Sequence, residues 1–223
     1  HSTTGTLDAA TENVGVGLTA LDALTSGDKN TAVGNGAGTA INSGTANTAV
    51  GYNAADSVTS GAYNSCVGMN AGAAVATTAN NTYMGYSAGQ FGTSSNCSAF
   101  GMQAQRYTTG TNNTSSGYRS LNGVSGSSTA ANSTAVGKDA GFAVTTGAYN
   151  IFLGALSGDN ITTGDGNVII GSVDAGSATG DRQLMITGYD GSTTTTWING
   201  DSSGNVTMPA EIAAVSLDIS GAI

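Results

Sequence analysis

Residues 47–54 read Asn-Thr-Ala-Val-Gly-Tyr-Asn-Ala, and the phrase that ends at Gly51 returns along most of the chain. It reads NVGVG ending at Gly17, NTAVG at Gly34 and Gly51, NSCVG at Gly68 and NTYMG at Gly85. It continues as CSAFG at Gly101, NTSSG at Gly117, STAVG at Gly137, NIFLG at Gly154 and NVIIG at Gly171. Successive glycines are 17, 17, 17, 17, 16, 16, 20, 17 and 17 residues apart. Self-similarity at a fixed period marks a chain that stacks one small unit on the next. Helical solenoids repeat at about 33 to 47 residues and need apolar stripes of period 3.6, so so short a unit with two glycine-marked turns predicts a parallel β-coil. Ten coils spaced by about 4.8 Å would make a rod about 50 Å long.

The columns of the repeat assign roles. Immediately before the anchor glycine stand Val33, Val50, Val67, Met84, Phe100, Val136, Leu153 and Ile170, read as an apolar core ladder. Three residues after it come Ala20, Ala37, Ala54, Ala71, Ala88, Ala104, Ser120 and Ala140; seven after it come Leu24, Ile41, Val58, Val75, Val124, Val144 and Ile161, a second core column. The opening asparagine recurs as Asn13, Asn30, Asn47, Asn64, Asn81, Asn113, Asn150 and Asn167. Asparagine tolerates left-handed backbone and its amide can bond along a stack, so this column predicts a structural turn ladder. At the second corner, Ser/Thr-Gly pairs such as Thr25-Ser26-Gly27 and Thr59-Ser60-Gly61 are expected to supply positive φ. Each coil is then expected to hold two short strands and two turns.

Composition narrows the chemistry. Among 223 residues there are 35 glycines, two cysteines, one histidine (His1) and 9% charged residues, for a net charge of -9. Hydrolases of the Ser/His/Asp type are excluded, and acid–base or covalent catalysis has few residues to draw on. Five Lys+Arg against 14 Asp+Glu, with no basic run, argue against a nucleic-acid partner. No stretch approaches the roughly 18 apolar residues of a membrane span, and the first residues lack the pattern of a signal peptide. No cofactor is expected, and no metal, because Asp165-Gly166-Asn167 and Asp190-Gly191 lack the spaced carboxylates of a calcium loop. Cys66 stands in the alanine slot and Cys97 in the asparagine slot, two coils apart. The stacking rise alone separates them by about 9 to 10 Å, beyond the roughly 7 Å reach of a disulfide, so two free thiols are expected.

Neighbouring strand residues face opposite ways, yet the column Ala32, Ala49, Cys66, Tyr83, Ala99, Ala135, Phe152 and Ile169 is as apolar as the valine column beside it. Both faces therefore want burial, and a single slim coil has one interior. An apolar strip of that length is rarely left exposed on a monomer, and closed cyclic association is the simplest remedy.

The N-[TS]-x-[VI]-G phrase followed by x-x-Ala-[GA] resembles the left-handed parallel β-roll repeats in the heads of trimeric autotransporter adhesins. It is more similar still to the longer NTAVGYxA repeats of phage tail fibres. Over residues 13–176 the resemblance implies a homotrimeric, non-enzymatic fibre or adhesin. Such a fibre would be extracellular, on a virion or a cell-surface appendage, and would attach to a polysaccharide or protein receptor. The chain divides into a lead-in (1–12), an all-β parallel solenoid or β-roll (13–176), a hairpin-rich segment (177–208) with strands near 182–187, 193–198 and 205–208, and the start of a further shaft element (209–223). The hairpin segment resembles the β-rich part that follows such repeats in phage fibres, often ahead of a chaperone that is cleaved off. The ending Gly221-Ala222-Ile223 reads as part of something longer.

Candidate receptor contacts are Arg106, Tyr107, Tyr118 and Arg119, in the irregular stretch 103–131 that loses the valine column at Ser116 and contains the 20-residue step. Insertions in solenoids map to loops on one face, often the binding face, though they also gather where nothing opposes them. An Arg/Tyr pair from adjacent coils could stack on a sugar or bond a carboxylate. Tyr63 and Tyr149, beside a corner, are further candidate receptor contacts and are expected to be exposed. The column after the glycine (Leu18, Asn35, Tyr52, Met69, Tyr86, Met102, Tyr118, Lys138) reads either as a binding edge or as packing against a neighbouring chain. Two other functions compete. An ice-binding solenoid is suggested by Thr31, Thr48, Thr82, Thr114 and Thr134, and is weakened by the Val or Met two residues on. A polysaccharide depolymerase would need paired carboxylates, whereas Asp22, Asp56, Asp139 and Asp159 lie coils apart.

Overall fold

The computed structural model of the protein describes residues 10–208. Ten coils each contribute one three-residue strand: β1 (Val14–Val16), β2 (Thr31–Val33), β3 (Thr48–Val50), β4 (Ser65–Val67), β5 (Thr82–Met84), β6 (Ser98–Phe100), β7 (Thr114–Ser116), β8 (Thr134–Val136), β9 (Ile151–Leu153) and β10 (Val168–Ile170). Three longer or terminal strands follow, β11 (Leu184–Tyr189), β12 (Thr194–Gly200) and β13 (Val206–Thr207), and the described residues contain no helix. All thirteen form one sheet in sequence order. Each coil strand pairs in parallel with the next without a slip, Ala32 over Ala49, Ala49 over Cys66 and Cys66 over Tyr83. The protein is an all-β parallel β-solenoid.

The repeat holds one strand, not the two expected. On the return side, residues two and four beyond the anchor glycine take left-handed backbone, as at Asn53 (φ 50) and Ala55 (φ 50). That alternation cannot propagate a β-ladder, but it still aims N–H groups at the coil above: Ala55 N donates to Ala71 O at 2.9 Å and Ser57 N to Ala73 O at 3.2 Å.

The interior is built from the middle residue of each strand. Ala32, Ala49, Cys66, Tyr83, Ala99, Ala135, Phe152 and Ile169 are all buried, together with the alanines three past the glycine and with Leu24, Ile41, Val58, Val75, Val144 and Ile161. The expected core ladder lies elsewhere. Val33, Val50, Val67, Met84, Phe100, Val136, Leu153 and Ile170 project from the outer face of the sheet and are half-buried to exposed in the single chain. Alternation forces one of the two columns outward, and the narrow cross-section takes in the column that is small in most coils, with Tyr83 and Phe152 accommodated where glycines face them. Val124 is also outside, 48% exposed. The extra residues of the 20-residue step put it in a loop, where its N–H bonds Ser128 Oγ, and that hydroxyl in turn donates to Val144 O at 3.0 Å.

Volume is conserved between layers. Where the strand slot holds Tyr83, its ring fills the space beside Gly72 and Gly89; where it holds Phe152, the ring lies between Gly141 and Gly158. A Cβ on Gly89 or Gly158 would come within 2.5 Å of the ring it faces, so those glycines are set by packing, because close-packed interiors tolerate little added volume.

The asparagine ladder forms as expected, inside the coil. Asn30, Asn47, Asn64, Asn81, Asn150 and Asn167 are buried. Asn47 shows the pattern: its N–H and Nδ2 reach Asn30 Oδ1 at 3.0 and 3.1 Å, and Nδ2 also donates to Gly61 O at 2.8 Å. Cys97, Ser133 and Gln183 take the slot in other coils and keep the backbone bond to the residue below. The left-handed residue is not the asparagine but the one before it, as at Lys29 (φ 60), Ala46 (φ 56) and Tyr63 (φ 58). In four successive coils that preceding position holds Asn80, Asn96, Asn112 and Asn132, whose exposed amides form a second ladder at 3.0 to 3.1 Å. At the other corner the Ser/Thr-Gly glycines are not in the left-handed region; Gly27 and Gly61 are glycine because a Cβ would strike the carbonyl oxygen of Gly44 or Thr78 on the adjoining coil.

The hairpin segment supplies three strands near their expected places. Its first strand is not separate from the solenoid, since β11 stacks in parallel on β10, Val168 against Leu184. β12 and β13 then run antiparallel. Cys66 and Cys97 are free and buried, and burial pushes the Cys66 thiol up to about 12. Most of the expected lead-in (residues 1–9) and the expected shaft element (209–223) lie outside the described residues.

Candidate functional site

Two surfaces stand out. The first is the outer face of the coil strands. Strands of three residues put their outer two side chains on one face, so a Thr/Ser column and a Val column run side by side along the rod. Val33 is 37% exposed, Phe100 41% and Leu153 46%. The column just past the anchor glycine flanks them, with Leu18, Tyr52, Met69, Tyr86 and Met102 all exposed. Together they form an apolar ridge spanning most of the solenoid and interrupted at Ser116.

The second surface gathers four of the expected receptor residues with two phenylalanines. Phe91 and Tyr107 stack with ring centroids 5.3 Å apart and planes 7° from parallel. The Arg106 guanidinium lies over both, 5.6 Å from the Phe91 centroid and 5.0 Å from that of Tyr107, and its Nε donates to Gln90 Oε1 at 3.0 Å. One coil further on, Arg119 covers Tyr118 at 4.9 Å and Phe142 at 4.6 Å. Its Nε also pairs with Asp139 at 2.7 Å, and Lys138 Nζ approaches the other oxygen of that carboxylate at 2.9 Å. Burial raises the Asp139 pKa, but the bonds from Arg119 and Lys138 outweigh it and hold the carboxyl below its usual range. The bond to Asp139 in turn raises Arg119.

The two Arg/Tyr pairs thus belong to separate clusters, each completed by a phenylalanine from another coil. Phe91 was legible in principle: it stands six residues past Gly85, as Tyr107 does past Gly101. Phe142 stands five past Gly137, and only the folded chain brings it to Arg119. Tyr63 and Tyr149 are 64% and 66% exposed as expected, but they sit at the corner before the strand, in the column that the exposed asparagine ladder occupies, and join neither cluster.

Asp159 and Asp174 form the remaining titratable pair, in an open recess shared with Leu156, Ser172 and Val173. Burial, the bond to Asp174 and that group's charge push Asp159 up to about 6. The carboxyls bond each other, whereas a glycosidase pair stands about 5 Å or more apart around its substrate. Because the folded form holds a proton that the unfolded chain releases near 3.8, this pair favours folding below about pH 4, and the contribution fades as pH rises through about 6. Thermal melts between pH 4 and 7.5 are expected to show a higher midpoint on the acid side of this window, with the slope reduced in Asp159→Asn; an unchanged slope in the variant would refute the assignment. Among the described residues, no group of three or more His, Cys, Asp or Glu side chains is placed to hold a metal ion. Compared with protein-family models, with curated proteins and with solved structures, the chain matches none.

Proposed function

We propose that the protein is a non-enzymatic structural and attachment segment of an extracellular fibre, three copies packing their ridges together and presenting edge residues to a cell-surface polysaccharide or protein. The carrying observation is the apolar ridge, whose Val, Met, Phe and Leu side chains remain 37 to 46% exposed in five of the coils. Monomers rarely leave a continuous apolar strip wet, and threefold closure buries it without leaving a sticky end. The resemblance of the repeat to those of phage tail fibres and trimeric adhesins supports the same reading. Three identical edges would let weak contacts add through high effective concentration.

Native mass spectrometry at micromolar concentration is expected to find three copies per particle; a monodisperse monomer would overturn the proposal. The double variant Phe100→Glu, Leu153→Glu introduces like charges across the shared face, each juxtaposition costing several kcal/mol. Assembly is expected to weaken about 100-fold or more, while the far-ultraviolet circular dichroism stays that of a β-coil because both side chains lie outside the core.

One observation favours the ice-binding alternative: the threonine column at Thr31, Thr48, Thr82, Thr114 and Thr134 does face outward on the sheet. Its partner column is Val, Met or Ser, not Thr, so the regular hydroxyl array is missing, and thermal hysteresis by the purified chain is the result that would revive it.

A further inference from the structure

Two adjacent coils break a column that is otherwise small. Six residues past the anchor glycine come Ser57, Ala74, Phe91, Tyr107, Gly123 and Ala143. Backbone bonds hold them in one file, Phe91 N to Arg106 O and Tyr107 N to Asn122 O, each at 2.9 Å. Two parallel rings therefore stand above small neighbours, and Phe91 remains 45% exposed. Arg106 lies across both rings and, among the described residues, has no carboxylate partner, whereas Arg119 is paired with Asp139. Among the described residues only Nε of its fork is hydrogen-bonded, to Gln90.

In a chain of net charge -9, an unneutralised guanidinium beside a partly exposed aromatic pair selects an anion that carries a flat apolar face. A guanidinium matches a carboxylate through two parallel N–H···O bonds. Aromatic rings offer an apolar floor to the C–H face of a sugar ring. We propose that Phe91, Arg106 and Tyr107 bind a carboxylate-bearing sugar unit of an acidic polysaccharide, its ring on the aromatic step and its carboxylate on the two terminal nitrogens of Arg106. This deepens the attachment reading and rests on it for its setting. A nucleic acid is disfavoured by the repulsion that the overall charge imposes on a phosphate backbone.

The test is calorimetric titration of the full chain, its assembly state first established by native mass spectrometry, with trigalacturonate and, as controls, maltotriose and polyphosphate. Trigalacturonate is expected to bind at least ten times more tightly than either control, and more weakly as salt is raised. Arg106→Gln should abolish the preference over maltotriose, and Arg106→Lys, which keeps the charge but loses the fork, should restore only part of it. Phe91→Ala and Tyr107→Ala should each weaken binding at least tenfold; circular dichroism melts identify any variant that fails to fold, and the two Arg106 variants then decide. No binding of trigalacturonate, equal affinity for maltotriose or polyphosphate, or unchanged binding by Arg106→Gln would overturn the proposal. A monomer that binds trigalacturonate would sink the fibre reading and leave the platform standing; a trimer that ignores it would do the reverse.

Discussion

Replacing Asn64 by alanine is expected to cost about 3 kcal/mol, from the buried Asn81 N–H left without a partner at about 2 kcal/mol and the part-buried Thr78 carbonyl oxygen at about 1 kcal/mol. The Asn64 Nδ2 group donates to Asn47 Oδ1 at 3.0 Å and to Thr78 O at 2.9 Å, while its Oδ1 accepts from the Asn81 N–H at 3.2 Å and from Asn81 Nδ2 at 3.0 Å. After truncation Asn47 Oδ1 still receives the Asn64 N–H, and Asn81 Nδ2 still reaches Ser94 O. Thr78 O and the Asn81 N–H have no such substitute. Because each coil touches only its neighbours, the loss should concentrate locally. Hydrogen exchange followed by mass spectrometry should show protection falling around residues 47–82 while the coils beyond Gly137 keep theirs. Uniform loss along the rod, or a change below about 1 kcal/mol in a denaturant melt at fixed protein concentration, would contradict the ladder as a source of stability.

Gly68→Ala is expected to be more damaging still. The residue has φ 132, a region closed to side chains, where strain alone is of order 1–3 kcal/mol. A Cβ there would also stand 2.5 Å from Gly85 O, 2.7 Å from its carbonyl carbon and 3.3 Å from its Cα. Those atoms are backbone of the next anchor, itself held by the coil beyond, so relief would require displacing the stack. A total above about 4 kcal/mol and loss of a cooperative melt are expected. Gly126→Ala supplies the contrast: φ is 75 and nothing lies within 4 Å of the added methyl, so only the left-handed penalty of about 1 kcal/mol applies. Equal melting of the two variants would show that stacking distance does not explain the repeating glycine.

The period, the parallel stacking, the buried asparagine column and the two free cysteines were all legible in the residues, because each depends on what recurs at equal spacing. Any chain that repeats Asn-Thr-Ala-Val-Gly every 17 residues places like over like, and equal coils can pair only in register. What recurrence leaves open is direction. Ala49 and Val50 are both apolar, and a strand alternates whichever way it faces; closure of the narrow coil around the alanines sends Val50 outward. Local backbone was equally hidden: Ala46 and Tyr63 share the left-handed corner with Asn80, although their side chains have nothing in common, because the constraint is the course of the chain into the buried asparagine. Sequence by itself therefore determined the repeat and the order of its strands. Only the tertiary structure decided which columns are inside, and that Phe142 joins Arg119, since burial and side-chain contact depend on how far apart the walls of the coil stand.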